Sequence, residues 1–268
     1  MKTFVRFGSG NQLLGILAGD AATASGPILI LPSAGLQPRS GPFRLYVELA
    51  QQLAPIGIRT FRFDVPGVGE AARLAGYDEN SATLAAIDAL QERHGGSEFA
   101  VGGICSAADV AWKAAVNDRR VKAILMLDGV SFTGPWYIYA RAVDRIRRLP
   151  REWLRMLTDA KQARSEKGMK SADFRDWPSH KDARREFSGL VARQVDQLWI
   201  YTGGFTDRFQ HPRQFSWSFG ESTRSPQVTM HYWPDCDHTF FARAHRDRLV
   251  STIREWMVEF CSNAGKRP

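Results

Sequence analysis

Apolar runs of five to seven residues recur along the chain and alternate with longer segments whose apolar residues repeat every three to four positions. Runs of the first kind are typical of strands covered on both faces, and the longer spacing is typical of amphipathic helices. Strand and helix alternate from residue 27 to residue 127, which predicts right-handed crossovers and a parallel sheet. The predicted strands are 27–31, 59–65, 98–104 and 121–127, and the predicted helices are 43–54, 81–93 and 106–116.

This alternation stops at Gly129, and residues 130–195 have only helical periodicity. The remaining predicted elements are strands at 3–7, 13–17, 197–202 and 228–233 and a helix at 246–261. We therefore expect one α/β core made of residues 1–129 and 196–268. Its mostly parallel central sheet is flanked by helices, and residues 130–195 are expected to form a helical cap over the carboxyl edge of the sheet.

Composition places the chain among ordinary globular proteins, since 44% of its 268 residues are apolar. No stretch is long and apolar enough for a membrane span, and polar residues interrupt the first 19 positions, which argues against a signal peptide. The cysteines at 105, 236 and 261 form neither disulfide pairs nor a metal-binding spacing. We expect a cytoplasmic protein with free thiols, no metal and no cofactor.

The positive charge is concentrated in one segment. The formal net charge is +8, and residues 131–195 hold 15 basic and 8 acidic residues, a difference of +7. Such a segment is usually a solvated helical face, although it can also meet an acidic partner. Because acids are interleaved with the bases and no recognition motif is present, we do not expect nucleic-acid binding.

The sequence Gly103-Ile104-Cys105-Ser106-Ala107 lies where a predicted strand runs into a predicted helix. A reactive side chain on so sharp a turn requires small residues two positions before and two positions after it. Gly103 and Ala107 meet this requirement around Cys105, whereas a turn centred on Ser106 would place Ile104 at one flank. Cys105 is therefore the candidate nucleophile.

Two further reactive side chains follow later strands of the predicted sheet. Asp207 comes just after strand 197–202, and His238 follows strand 228–233. Because ligands bind at the carboxyl ends of strands in open α/β sheets, we expect Cys105, Asp207 and His238 to meet. The order nucleophile, acid, histidine is that of a hydrolytic triad. The other five histidines are interpreted as structural.

Several motifs together resemble the α/β-hydrolase superfamily over almost the whole chain. They are the cysteine elbow, the turn Asp64-Val65-Pro66-Gly67-Val68-Gly69, the loop 203–207 and the sequence Asp237-His238-Thr239-Phe240. Within the superfamily, residues 36–42 and the elbow are similar to hydrolases associated with exosortase and exopolysaccharide systems. The chain departs from the usual pattern by having cysteine for serine, and Pro32-Ser33-Ala34 where many members have a histidine-glycine pair.

Each predicted site residue has a chemical role. His238 would take the proton of the Cys105 thiol, and Asp207 would hold the histidine ring and stabilise its cation. Some members of the superfamily supply the acid from the end of the preceding strand, so Asp128 remains an alternative to Asp207. The backbone N–H groups of Ser106 and Ala34 would form the oxyanion hole.

A cysteine in this position favours acyl transfer through an S-acyl enzyme, with an ester, lactone or thioester as the small-molecule substrate. The expected activity is that of an esterase or thioesterase. Two alternatives stay open, namely an acyltransferase that uses an acceptor other than water and a non-catalytic scaffold that binds a ligand or partner. The basic segment suggests an anionic acyl donor, such as a coenzyme A thioester or an acidic carrier protein.

Overall fold

The computed structural model describes residues 1–24, 26–158 and 175–264. Its centre is a single sheet of eight strands in the order β1-β2-β4-β3-β5-β6-β7-β8. The strands are β1 (Lys2–Phe7), β2 (Leu13–Ala18), β3 (Ile28–Pro32), β4 (Arg59–Phe63), β5 (Phe99–Ile104), β6 (Val121–Leu127), β7 (Asp196–Thr202) and β8 (Val228–Trp233). β1 pairs antiparallel with β2, and β2 with β4, whereas every later pair in the sheet is parallel.

Helices cover both faces of the sheet, as its central apolar strands require. They are α1 (Leu45–Leu53), α2 (Glu79–His94), α3 (Ser106–Asn117), α4 (Pro135–Thr158), α5 (His180–Ala192), α6 (Arg213–Phe219) and α7 (Arg243–Ala264). One core contains Trp112, Phe187 and Trp199, and the other contains Tyr46, Leu49 and Ile253. β3 and β5 are buried along their whole length, so the middle of the sheet is a rigid platform for the loops at its carboxyl edge.

The predicted mostly parallel sheet flanked by helices is confirmed. Helix α6 was not predicted, because its seven residues hold too few turns for a clear period. In the described part of the chain between β6 and β7 lie the helices α4 and α5. The boundaries of the predicted cap stay a prediction, and part of that segment, residues 159–174, lies outside the described residues. Among the helices of the described residues, none combines the length and apolar character needed to cross a bilayer.

Candidate active site

Cys105 lies at a sharp turn between β5 and α3, as predicted. Its backbone has φ 58° and ψ −123°. A positive φ of this size is rare in residues other than glycine. A Cβ atom added at Gly103 would lie 2.5 Å from the Tyr46 hydroxyl and 2.6 Å from the Ala107 Cβ. The Tyr46 hydroxyl also accepts a hydrogen bond from the Ile104 N–H at 3.0 Å. The turn therefore needs small residues at positions 103 and 107, as the sequence indicated.

His238 pairs with Asp128, which corrects the prediction that Asp207 is its partner. The Nδ1 atom of His238 lies 2.7 Å from Asp128 Oδ2. The Asp128 carboxylate is fully buried and accepts two more hydrogen bonds, from the Thr202 N–H at 2.7 Å and the Thr202 hydroxyl at 2.6 Å. These donors fix the carboxylate in one orientation toward the ring. Asp128, the alternative left open by the sequence, is the residue whose carboxylate contacts the ring.

Asp207 makes its contacts in another part of the structure. Its carbonyl oxygen accepts a hydrogen bond from the Tyr137 hydroxyl at 2.9 Å. Its side chain contributes to a cavity of about 870 Å³ that also includes residues of α4 and Tyr232 at β8. Asp207 therefore belongs to the contact between α4 and the loop after β7, and Asp128 belongs to the contact with His238.

The Cys105 thiol and the His238 ring interact, and each shifts the pKa of the other. Burial on its own raises the pKa of Cys105, but the hydrogen bond to His238 and the charge of Arg175 outweigh it, so that the pKa falls below its ordinary value. Burial lowers the pKa of His238, whereas its hydrogen bonds to Asp128 and Cys105 raise it, and the net result is about 10. The lowered pKa of Cys105 and the raised pKa of His238 both favour a thiolate beside an imidazolium.

Ser106 and Ala34, the predicted oxyanion donors, belong to two segments that a hydrogen bond joins. The Ser106 N–H is the first donor of α3 and helps to lower the pKa of Cys105. The Ser106 hydroxyl accepts a hydrogen bond from the Gly35 N–H at 2.9 Å. This bond ties the loop after β3, which contains Ala34, to the turn that contains the cysteine. The two predicted donors are thus connected through a side chain, although their roles toward a substrate stay a prediction.

The glycine-rich turn after β4 also contacts the loop after β3. Asp64 Oδ1 accepts a hydrogen bond from the Arg39 N–H at 2.6 Å, and the Arg39 guanidinium forms an ion pair with the same carboxylate. A Cβ atom at Gly69, whose φ is +58°, would lie 2.6 Å from Asp64 Oδ2. The glycine thus lets the chain approach the carboxylate, which in turn positions the loop that contains Ala34.

Arg175 is a site residue that the sequence did not indicate. Its side chain is 4% exposed and forms two short hydrogen bonds with the carboxylate of Asp109 on α3, at 2.5 and 2.6 Å. The guanidinium also donates to the carbonyl oxygen of Asp128 at 2.9 Å and to that of Cys105 at 3.0 Å. No motif could have identified this residue, because it is one of 15 basic residues in the segment 131–195.

Asp235, Cys236 and His245 form a cluster of possible metal ligands, with one ligand atom of each within 4.8 Å of the others. Two observations disfavour metal binding there. Arg248 lies 3.3 Å from Asp235 Oδ2 and already supplies a positive charge. Burial and the neighbouring Asp235 raise the pKa of Cys236 to about 11, although a metal requires the thiolate.

Comparisons with known proteins agree with the observed fold. Residues 27–235 match the family model described as alpha/beta hydrolase fold. No curated protein sequence matches the chain.

Several solved structures have a similar fold. An esterase from Pyrococcus furiosus is 14% identical, with a TM-score of 0.54 over 96% of this chain and 91% of the esterase. A thermophilic esterase from Thermogutta terrifontis is 16% identical, with a TM-score of 0.54 over 97% and 98% of the two chains. The proline iminopeptidase of Mycobacterium smegmatis is 13% identical, with a TM-score of 0.57 over 98% and 100%. At these identities the likeness concerns the fold alone.

Proposed function

Since this chain belongs to the alpha/beta hydrolase fold family, we propose that it is an acyl-transfer enzyme of the esterase or thioesterase type. Its triad consists of Cys105, His238 and Asp128, with an S-acyl enzyme as intermediate. The observation that carries the proposal is the position of His238, whose ring interacts with the Cys105 thiol on one side and directs Nδ1 at the Asp128 carboxylate, 2.7 Å away, on the other. Esterases among the structural neighbours agree with this class of reaction.

The reaction begins from the thiolate of Cys105 and the imidazolium of His238, the pair that their pKa shifts favour. Because Nδ1 of the ring is engaged by Asp128, Nε2 is the nitrogen available to the sulfur. The thiolate attacks the carbonyl carbon of the substrate, and the carbonyl electron pair moves onto oxygen. The N–H groups of Ser106 and Ala34 stabilise that oxyanion, and a single donor of this kind typically contributes about 3–4 kcal/mol.

Collapse of the tetrahedral intermediate breaks the bond to the leaving alcohol or thiol, which takes the proton from His238. The acyl group is then attached to Cys105 as a thioester. Water gives a proton to His238 and attacks this thioester, and the carboxylic acid leaves, which restores the thiolate and the imidazolium. An amine, thiol or alcohol can replace water in this second half, which is the acyltransferase alternative.

Several finer predictions belong to the same proposal. The donor is a small ester or thioester, and the basic segment 131–195 favours one linked to coenzyme A or to an acidic carrier protein. Activity on such donors would then fall as ionic strength rises, and a flat response would contradict this preference. The subgroup associated with exosortase and exopolysaccharide systems, and a cytoplasmic location, are likewise predictions from the sequence.

Removal of the nucleophile tests the proposal. We expect Cys105→Ala to abolish turnover of p-nitrophenyl acetate and of an acetyl thioester, measured as kcat/KM. The matched control is Cys236→Ala, which removes a buried thiol whose pKa is raised to about 11. Full activity in Cys105→Ala would contradict the proposal.

Thiol reactivity separates the enzyme from the non-catalytic scaffold. Iodoacetamide near neutral pH is expected to alkylate Cys105 much faster than Cys236, because the pKa of Cys105 is lowered and that of Cys236 is raised. Equally slow alkylation of both thiols would favour the scaffold. Product analysis with and without an added amine or thiol acceptor then distinguishes hydrolysis from transfer.

A further inference from the structure

Two residues of the proposed triad have left-handed backbone conformations, and one guanidinium contacts both. Cys105 has φ 58° and Asp128 has φ 50°. Such conformations are unfavourable for residues other than glycine and persist only where the surroundings hold them. Arg175 donates from Nη2 to the Cys105 carbonyl oxygen and from Nη1 to the Asp128 carbonyl oxygen. The peptide groups that follow the nucleophile and the acid are therefore held by the same side chain.

Other groups fix the guanidinium itself. The Asp109 carboxylate binds Nε and Nη2 through two parallel hydrogen bonds, the geometry in which arginine and a carboxylate interact most strongly. The faces of Trp177 and Phe205 lie 4.7 and 5.5 Å from the guanidinium carbon. The Phe205 ring also stacks on His238, with 6.0 Å between centroids. Arg175 thus contacts the nucleophile and the acid directly and approaches the histidine through one aromatic ring.

The charge of Arg175 lies close to the reacting sulfur. Among the described residues, the titratable and charged groups that influence Cys105 are His238 from the loop after β8, Arg175 from the segment before α5, and Tyr46 from α1. Arg175 lowers the pKa of Cys105, and its own pKa is raised by Asp109 and by Cys105 in spite of burial. The attraction between the guanidinium and the sulfur is therefore mutual.

A second arginine at the other end of α3 shows what a purely structural role looks like. Arg193 donates to the carbonyl oxygens of Ala115, at 2.8 Å, and Asp118, at 3.0 Å, near the C-terminus of the helix. Burial lowers its pKa, in contrast to that of Arg175. The two side chains bind backbone carbonyls in a similar way, but Arg193 binds at the C-terminal end of the twelve-residue helix α3, and Cys105 precedes its N-terminal end.

We propose that Arg175 is a positioning residue of the acyl-transfer reaction, which holds the carbonyls of Cys105 and Asp128 and whose positive charge favours the thiolate. This inference rests on the proposed function. The hydrogen bonds of the guanidinium hold the two backbone carbonyls in place, and its positive charge promotes ionisation of the sulfur. These two contributions predict different behaviour in different variants.

The experiment measures kcat/KM for p-nitrophenyl acetate and, separately, the pH midpoint of Cys105 alkylation by iodoacetamide. In Arg175→Gln combined with Asp109→Asn, which leaves no unpaired buried carboxylate, we expect the midpoint to rise by about one pH unit. In Arg175→Lys, which keeps the charge but not the fork, we expect the midpoint to stay near that of the wild type while kcat/KM falls ~10-fold.

Arg193→Lys and Arg193→Gln are the matched controls. Both are expected to lower the melting temperature while leaving the midpoint and kcat/KM unchanged. If the double variant does not fold, Arg175→Lys decides the question through its loss of kcat/KM. The inference would be overturned if the Arg175 variants matched the Arg193 variants in both the alkylation midpoint and kcat/KM. Retained turnover in Cys105→Ala would instead overturn the proposed function, so the two failures are distinguishable.

Discussion

The loops after β6 and β7 each contain an aspartate near the same edge of the sheet, but they contribute to the site in different ways. Asp128 directly follows β6, is fully buried, and receives hydrogen bonds from Thr202 and His238. Asp207 lies five residues beyond β7 and faces the cavity beside α4. The first loop supplies a carboxylate to the histidine, and the second contributes to the lining of a cavity.

The loop after β7 nevertheless positions the histidine through its backbone. A Cβ atom at Gly204 would lie 2.1 Å from the His238 backbone nitrogen, and one at Gly203 would lie 2.1 Å from the Pro234 carbonyl oxygen. The Gly204 N–H also donates to the Cys236 carbonyl oxygen at 3.1 Å. Such close approach is possible only without side chains. The comparison teaches that one loop provides the carboxylate that contacts His238, while its neighbour provides the backbone packing around that histidine.

Exchange of the two carboxylates for amides tests this division most strongly. We expect Asp128→Asn to lower kcat by ~10⁴-fold, because the amide no longer holds His238 in the required tautomer. Asp207→Asn is the matched control and is expected to stay within about two-fold of the wild type, since its carboxylate does not contact the ring. The measurement is kcat for p-nitrophenyl acetate. Equal losses in both variants would contradict the assignment of the acid.

A methyl group at Gly204 tests the packing role of the β7 loop. In Gly204→Ala the new Cβ overlaps the His238 backbone, so the ring must shift, and we expect kcat/KM to fall by ~100-fold. The control is Gly189→Ala on α5, where an added Cβ would have no neighbour within 4 Å. That variant should keep full activity and be as stable as the wild type or slightly more stable. Wild-type kcat/KM in Gly204→Ala would refute the packing role.

The pH dependence tests the influence of Asp128 on His238. The imidazolium is required as the acid for the leaving group, so activity is lost as pH rises through the pKa of His238, which is about 10. Because the hydrogen bond and the charge of Asp128 both raise that pKa, we expect the alkaline limit of residual activity in Asp128→Asn to move to lower pH. In Asp207→Asn it should not move. An unchanged limit in both variants would contradict the coupling.

The sequence predicts most of the fold because its strands are buried and apolar, and strand β6 is predicted with its observed bounds. It also predicts the elbow, since the need for Gly103 and Ala107 follows from local sterics. It does not decide between Asp128 and Asp207, because both follow adjacent parallel strands and the choice depends on loop conformation. Arg175 could not be predicted at all, since its partners are separated from it by 47 to 70 residues.

The central claim is that Cys105 becomes acylated, and the most direct test is to locate the acyl group after a brief reaction with p-nitrophenyl acetate. Peptide mass spectrometry of the quenched protein is expected to place the acetyl group on Cys105 through a bond that neutral hydroxylamine cleaves, as it does a thioester. An acetyl group on the adjacent Ser106, or no adduct while turnover continues, would contradict the account.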